Sequence, residues 1–270
     1  MKTYLNYPFI EKKHLSLGCP LHYWILDNTS DQWIFFLHGL GLDHLMYKEQ
    51  VKALGSDYNL ILWDIRGHGK SQPLGPEITV DILIKDLLAI MSKEDCHNAI
   101  FVGHSMGGYL AQEFSFRYPE KVSKLILIGS ACITKKLNLW QKTALKLIPH
   151  LLKFVPWKLI IKASAKYSSE YQNVQEYITN SFSRINKRDY LRIIKLINAF
   201  FHYEEDYVII QPVLLISGED DKTINFKKEI DYWRTKERNY DFFILEENLH
   251  NCNQDNPDLI NNMIQDFLNK

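Results

Sequence analysis

Short apolar runs recur along the chain, with polar, helix-patterned stretches between them. "WIFFLHG" (33–39), "NLILWD" (59–64), "AIFVGHS" (99–105), "KLILIGS" (124–130), "VLLISGE" (213–219) and "DFFILEE" (241–247) are mostly apolar at consecutive positions rather than alternating. That pattern predicts strands covered on both faces, as in a parallel sheet. Two shorter runs, around His14–Leu17 and Leu21–Leu26, predict an antiparallel edge. Helical spacing is read over Leu45–Leu54, Val80–Lys93, Met106–Tyr118, Phe226–Thr235 and Pro257–Leu268. Thr79 ahead of Ile82, Leu83, Leu87 and Leu88 supplies an N-cap and then the three-four apolar spacing of an amphipathic helix. Strands alternating with helices imply right-handed crossovers. The expected fold is α/β, with a doubly wound, mostly parallel sheet of eight strands.

The rhythm breaks between Ile133 and Tyr207, where no strand is evident and several helices are. Pro149 and Pro156 interrupt that segment and are expected to end or kink helices. The division this predicts is a core made of residues 1–132 and 208–270, with a helical cap inserted at 133–207. Charge sharpens the distinction. Between 133 and 203 there are thirteen Lys and Arg, against only Glu170, Glu176 and Asp189, in a chain whose formal net charge is zero. The segment "KTALKLIPHLLKFVPWKLIIKASAKY" is apolar and basic together. Ordinary insertion helices would turn its apolar residues to the core and its lysines to water, and this is the preferred reading. The competing one is a lid that meets acyl chains, anionic substrates or an anionic membrane surface.

The neutral balance gives no global signal for nucleic acid. The N-terminal "MKTYLNYPFIEKKHL" has no sustained apolar core before Glu11, Lys12 and Lys13, which argues against a signal peptide. No apolar run approaches the roughly 20 residues needed to span a bilayer. Cys19, Cys96, Cys132 and Cys252 lie far apart with no CxxC pair, as expected of reduced thiols in a cytoplasmic protein. No His/Asp/Glu cluster has metal-ligand spacing, and Gly67 and Gly69 lack the spacing of a phosphate-cradling loop. Neither a metal nor a cofactor is therefore expected.

The chemistry concentrates in "IFVGHSMGGYLAQEF" (100–114), where Gly103-His104-Ser105-Met106-Gly107 fits G-x-S-x-G between a strand and a helix. A strand turning sharply into a helix presents the serine hydroxyl above the sheet, beside a helix N-terminus that favours negative charge. Side chains at Gly103 or Gly107 would collide with such a turn. A serine hydroxyl is a weak nucleophile and needs a base that is itself oriented by an acid. Both are available later in the chain. "VLLISGEDDKTI" delivers Asp220 and Asp221 after one strand, and "DFFILEENLHNCNQDNPDLI" delivers His250 after the next.

Five stretches in order, "HGLG" (38–41), "DIRGHGKS" (64–71), "GHSMGG", "GEDD" and "LHNCNQDNPD", resemble the α/β-hydrolase superfamily and its branch with a helical cap. The resemblance covers nearly all of the chain. It implies Ser105 as nucleophile, His250 as general base and, by the family's spacing after glycine, Asp221 rather than Asp220 as the acid. The strand ending at Gly129 and Ser130, where some members keep the acid, offers none. Leu249 stands where a glycine often precedes the histidine. Backbone N–H groups of Leu40 and Met106 would form the oxyanion hole. His38, His68 and His104 sit in the motif loops and are read as packed or hydrogen-bonded imidazoles.

The activity implied is carboxylic-ester hydrolysis of a small or medium acyl substrate through an acyl-enzyme. The alternatives are the same triad applied to C–C bonds, thioesters, lactones or small-acid elimination, and a ligand receptor that has kept the fold. A haloalkane dehalogenase is disfavoured, because it needs Asp where Ser105 stands.

Overall fold

Eight strands form one sheet in the order β1-β2-β4-β3-β5-β6-β7-β8. The computed structural model describes residues 7–223, 226–236 and 239–270. Residues 1–6, the start of the stretch read above for a signal peptide, lie outside them. The hairpin β1 (Ile10–Ser16) and β2 (Cys19–Leu26) makes the antiparallel edge, and β2 also runs antiparallel to β4 (Asn59–Trp63). From β4 the sheet continues in parallel through β3 (Trp33–Leu37), β5 (Ala99–His104), β6 (Val122–Ile128), β7 (Val213–Gly218) and β8 (Tyr240–Leu245).

Why the runs are apolar at every position is now plain. Along β3, Phe35 and Leu37 face one helical layer, while Ile34 and Phe36 face the other. The first layer holds α2 (Val80–Lys93), α3 (Met106–Arg117) and α8 (Phe226–Lys236), whose Leu83, Leu87, Leu110, Phe114 and Trp233 pack there. The second holds α1 (Lys48–Leu54) and α10 (Pro257–Leu268), through Val51, Leu54, Ile260 and Ile264. The Thr79 hydroxyl caps α2, accepting from Ile82 N–H at 3.2 Å. The helix expected from Leu45 begins differently. A 3-10 turn occupies His44–Tyr47, because the Asp43 carboxylate caps it by accepting from Leu45 N–H at 3.0 Å, and α1 follows.

The loop after β4 is locked to the core by an ion pair without solvent access. Arg66 meets Asp86 of α2 through Nε to Oδ2 at 2.7 Å and Nη2 to Oδ1 at 2.8 Å, both side chains wholly buried. Ser16 of β1 joins it, donating its hydroxyl to Asp86 at 2.6 Å. Removing one partner strands a buried charge. Asp86→Ala is therefore expected to destabilise the fold by about 3–5 kcal/mol, read as the shift in urea unfolding.

Between β6 and β7 the chain forms α4 (Leu139–Leu151), α5 (Trp157–Ser168), α6 (Gln172–Ser183) and α7 (Lys187–Ile197). Two expectations for this segment are refined. Of the two outcomes expected at Pro149, it does not end α4 but sits inside its last turn. Proline has no N–H to give the Leu145 carbonyl, and Asn198 Nδ2 supplies that bond instead at 2.6 Å. Pro156 caps the start of α5. The second correction concerns orientation. Helix α5 turns Ile160, Ile161 and Ala165 inward as expected, but in α4 only Pro149 is buried, and Leu139, Trp140, Leu147, Ile148 and Leu151 face water. A helical period defines an apolar face without saying where that face points.

Candidate active site

Strand β5 ends at His104 and α3 begins at Met106, so Ser105 alone turns the chain. Its backbone stands at φ 50° and ψ −115°, a region costly for a residue with a side chain. The surroundings hold it there. Ser105 N–H donates to the Ile128 carbonyl of β6 at 2.9 Å. A Cβ on Gly107 would lie 2.0 Å from the Leu37 carbonyl oxygen, and one on Gly103 would lie 2.6 Å from that of Gly107. The two glycines around the serine are thus dictated by close backbone approach.

The loops after β7 and β8 bring Asp221 and His250 together. His250 Nδ1 donates to Asp221 Oδ2 at 2.7 Å, with Asp221 6% and His250 8% exposed. Asp221 Oδ1 accepts from Thr223 twice, from the backbone N–H at 2.8 Å and the hydroxyl at 2.6 Å. Burial opposes charge on Asp221. The neighbouring imidazole and the three donors outweigh it and hold the carboxyl below its ordinary range. Asp220, the other candidate in the loop, is exposed.

The remaining motif histidines have structural partners. His38 Nε2 accepts from Ile65 N–H at 2.9 Å, so its Nδ1–H donates to the Gly39 carbonyl at 2.8 Å. That imidazole ties the loop after β3 to the loop after β4, and burial lowers its pKa to about 4. His104 Nε2–H donates to the His250 carbonyl at 3.1 Å. Burial first, and then the nearby His250, lower the His104 pKa to about 3, so it stays neutral. His68 Nδ1–H points at the carbonyls of Ile65 and Arg66, and burial depresses it to about 3.

Among the described residues, the backbone N–H groups of Leu40 and Met106 donate no hydrogen bond. Ser105, His250 and Leu40 line one cavity of about 400 Å³. Leu152 and Val155 from the turn after α4, and Leu159 and Ile160 of α5, form much of its wall, with Phe182 and Tyr109. No described hydrogen bond joins the Ser105 hydroxyl directly to the imidazole. Such bonds are commonly long before substrate arrives and shorten in the complex.

A family profile described as serine aminopeptidase, S33, matches residues 28–256. The chain belongs to this α/β-hydrolase family. This S33-family hydrolase is 31% identical over 112 residues to 3-oxoadipate enol-lactonase 2 of Acinetobacter baylyi, a match covering 41% of this chain and 42% of that protein. In the curated relatives matched over such short segments, it covers 31% to 42% of their length. Among solved structures, it resembles the enol-lactonase from Burkholderia xenovorans LB400. The two superpose with a TM-score of 0.82 at 23% identity, over 96% of this chain and 100% of that one. A thermophilic esterase from Thermogutta terrifontis gives 0.81 at 18%, over 97% and 98%. At these identities the structural likeness establishes the fold alone.

The chain carries two site-loop features that sequence reading passed over. Thr223 braces Asp221, and its signal, Asp-x-Thr, is the spacing of a carboxylate that caps its own turn. Asp255 lies in the short helix α9 (Cys252–Asp255) after His250 and accepts from the Ser169 hydroxyl beyond α5. Burial pushes the Asp255 carboxyl up to about 6 from its ordinary 3.8. The folded chain therefore keeps a proton that the unfolded chain loses. Stability should fall as pH rises from about 4 through about 6, and the penalty is complete above that. Asp255→Asn is expected to be more stable than wild type above this window, by about 1 kcal/mol given the group's partial exposure, with the gap closing below it. Urea midpoints on either side of the window measure this.

Proposed function

We propose that the chain is a serine hydrolase cleaving a carboxylic ester of a small or medium acyl chain, with residues 133–207 acting as a cap over the site. The observation that carries this reading is the Asp221–His250 hydrogen bond at 2.7 Å, on the wall of the cavity that the strained Ser105 also lines. In this reading His250 takes the Ser105 proton as the oxygen attacks the ester carbonyl. The Leu40 and Met106 N–H groups, undonated among the described residues, receive the oxyanion. The tetrahedral adduct collapses, His250 returns the proton to the departing alcohol, and an acyl-serine remains. Water then loses a proton to the same imidazole, adds to the acyl carbonyl and releases the acid with Ser105 restored.

Asp221 keeps its charge and the useful tautomer of His250. The mostly apolar wall and the volume of about 400 Å³ suit a small or medium acyl group. Four buried cysteines without a disulfide fit a reducing compartment, and we assign the chain to the cytoplasm. A lactone is the second reading, favoured by the likeness to two enol-lactonases; its ring ester would open by the same steps.

The test is labelling by a fluorophosphonate, mapped by peptide mass spectrometry, alongside a panel of p-nitrophenyl esters and lactones. Label on Ser105 with ester turnover supports the first reading. Label with turnover of lactones alone supports the second. No label and no turnover would overturn both in favour of a receptor.

A further inference from the structure

We propose that α4 and the turn after it form a docking face for an anionic phospholipid bilayer, beside one wall of the active-site cavity. The inference goes beyond the ester reading and does not depend on it. Trp140, Ala144, Leu147 and Leu151 recur at helical spacing on one side of α4, and Phe154 extends the stripe past its end. Trp140 is 85% exposed, Leu151 62% and Phe154 87%, in a chain whose other helices bury their apolar residues far better. A contiguous apolar face of this size in water marks an interaction site.

Charge identifies the partner. Lys142, Lys146 and Lys153 accompany the stripe, and Lys158, Lys162 and Lys166 follow on α5. All six are exposed, and none forms an ion pair among the described residues. No acidic residue occurs from 133 to 169. A second copy docking through this face would bring like-charged surfaces together, whereas an anionic bilayer complements both the apolar stripe and the lysines. Position supports the same occupant. Leu152 and Val155, next to the exposed Leu151 and Phe154, line the cavity that contains Ser105. A docked bilayer would therefore lie against one wall of that cavity.

The test uses the purified full chain and co-flotation with two vesicle types, phosphatidylcholine alone and phosphatidylcholine mixed with phosphatidylglycerol. Binding to the mixed vesicles is expected to exceed binding to neutral ones at least about tenfold and to fall as salt rises. The quadruple variant Trp140→Ser, Leu147→Ser, Leu151→Ser, Phe154→Ser should bind about tenfold less or weaker still. Its circular-dichroism spectrum should match wild type, since all four side chains are half or more exposed. Lys142→Glu, Lys146→Glu, Lys153→Glu should bind more weakly by a similar factor and lose the salt dependence. Absence of binding, equal binding to both vesicles, or variants that bind like wild type would overturn the proposal. So would a dimer in sedimentation velocity that the apolar variant abolishes.

Discussion

Ser105→Ala is expected to lower turnover of the best ester substrate about a millionfold while leaving the fold intact. In the proposed mechanism one oxygen supplies the nucleophile, and no other group stands in its place. His104 is neutral, and its Nε2–H is committed to the His250 carbonyl. The cysteine thiols are buried, with Cys19 pushed up to about 11 and Cys96 to about 12 by burial, so neither offers a thiolate. Alanine should inherit the backbone at φ 50° at a strain close to serine's, because the conformation is fixed by Ile128, Gly103 and Gly107 rather than by the hydroxyl. The measurement is kcat with purified protein, plus binding of a slow substrate by calorimetry. Binding should persist as turnover collapses. Turnover within about a hundredfold of wild type would assign the attack to another group.

Asp221→Asn is expected to lower kcat about ten-thousandfold, the second largest effect. Thr223 already donates twice to Oδ1, so the substituted amide keeps its oxygen there and turns its NH2 toward His250. Two donors cannot face each other. The imidazole proton would then move to the nitrogen that must accept from serine, and the imidazolium formed during attack would lose its counter-charge. Asp220→Asn is the control, expected to stay within a few-fold, because that side chain points to water. A loss of similar size in both variants would mean that the loop, not the carboxylate, had been damaged.

Much of this was legible in the sequence, for reasons that differ by element. The central strands were plain because both faces are covered, which leaves runs such as Leu60-Ile61-Leu62-Trp63 with no polar position. The elbow was plain because two glycines are forced by backbone contacts, and backbone contacts leave a mark in residue type. Asp221 was separable from Asp220 only through the spacing that the resemblance supplied. Thr223 left only the short Asp-x-Thr signal, common in any turn, and its bracing role shows only once the loop has folded onto Asp221. The direction of α4 was missed because amphipathic spacing is the same whether the apolar side meets a core or a solvent boundary. That Pro149 stays inside its helix was not legible, because the bond that replaces its missing N–H comes from Asn198, forty-nine positions downstream.

The helices between β6 and β7 leave from and return to strands that are hydrogen-bonded neighbours in the sheet. The two strands run parallel, so the excursion leaves at the C-terminal end of β6 and returns at the N-terminal end of β7, crossing over while the pair stays in register. Because β6 and β7 pair with each other directly, lengthening, trimming or exchanging the excursion would not shift any strand register; its cost lies in loop closure and in the buried contacts of its helices. Ser105, Asp221 and His250 hang from strand ends that such a swap leaves alone. Chimeras carrying a foreign segment here should keep their reactivity toward a small phosphonate probe even where their preferred acyl length changes.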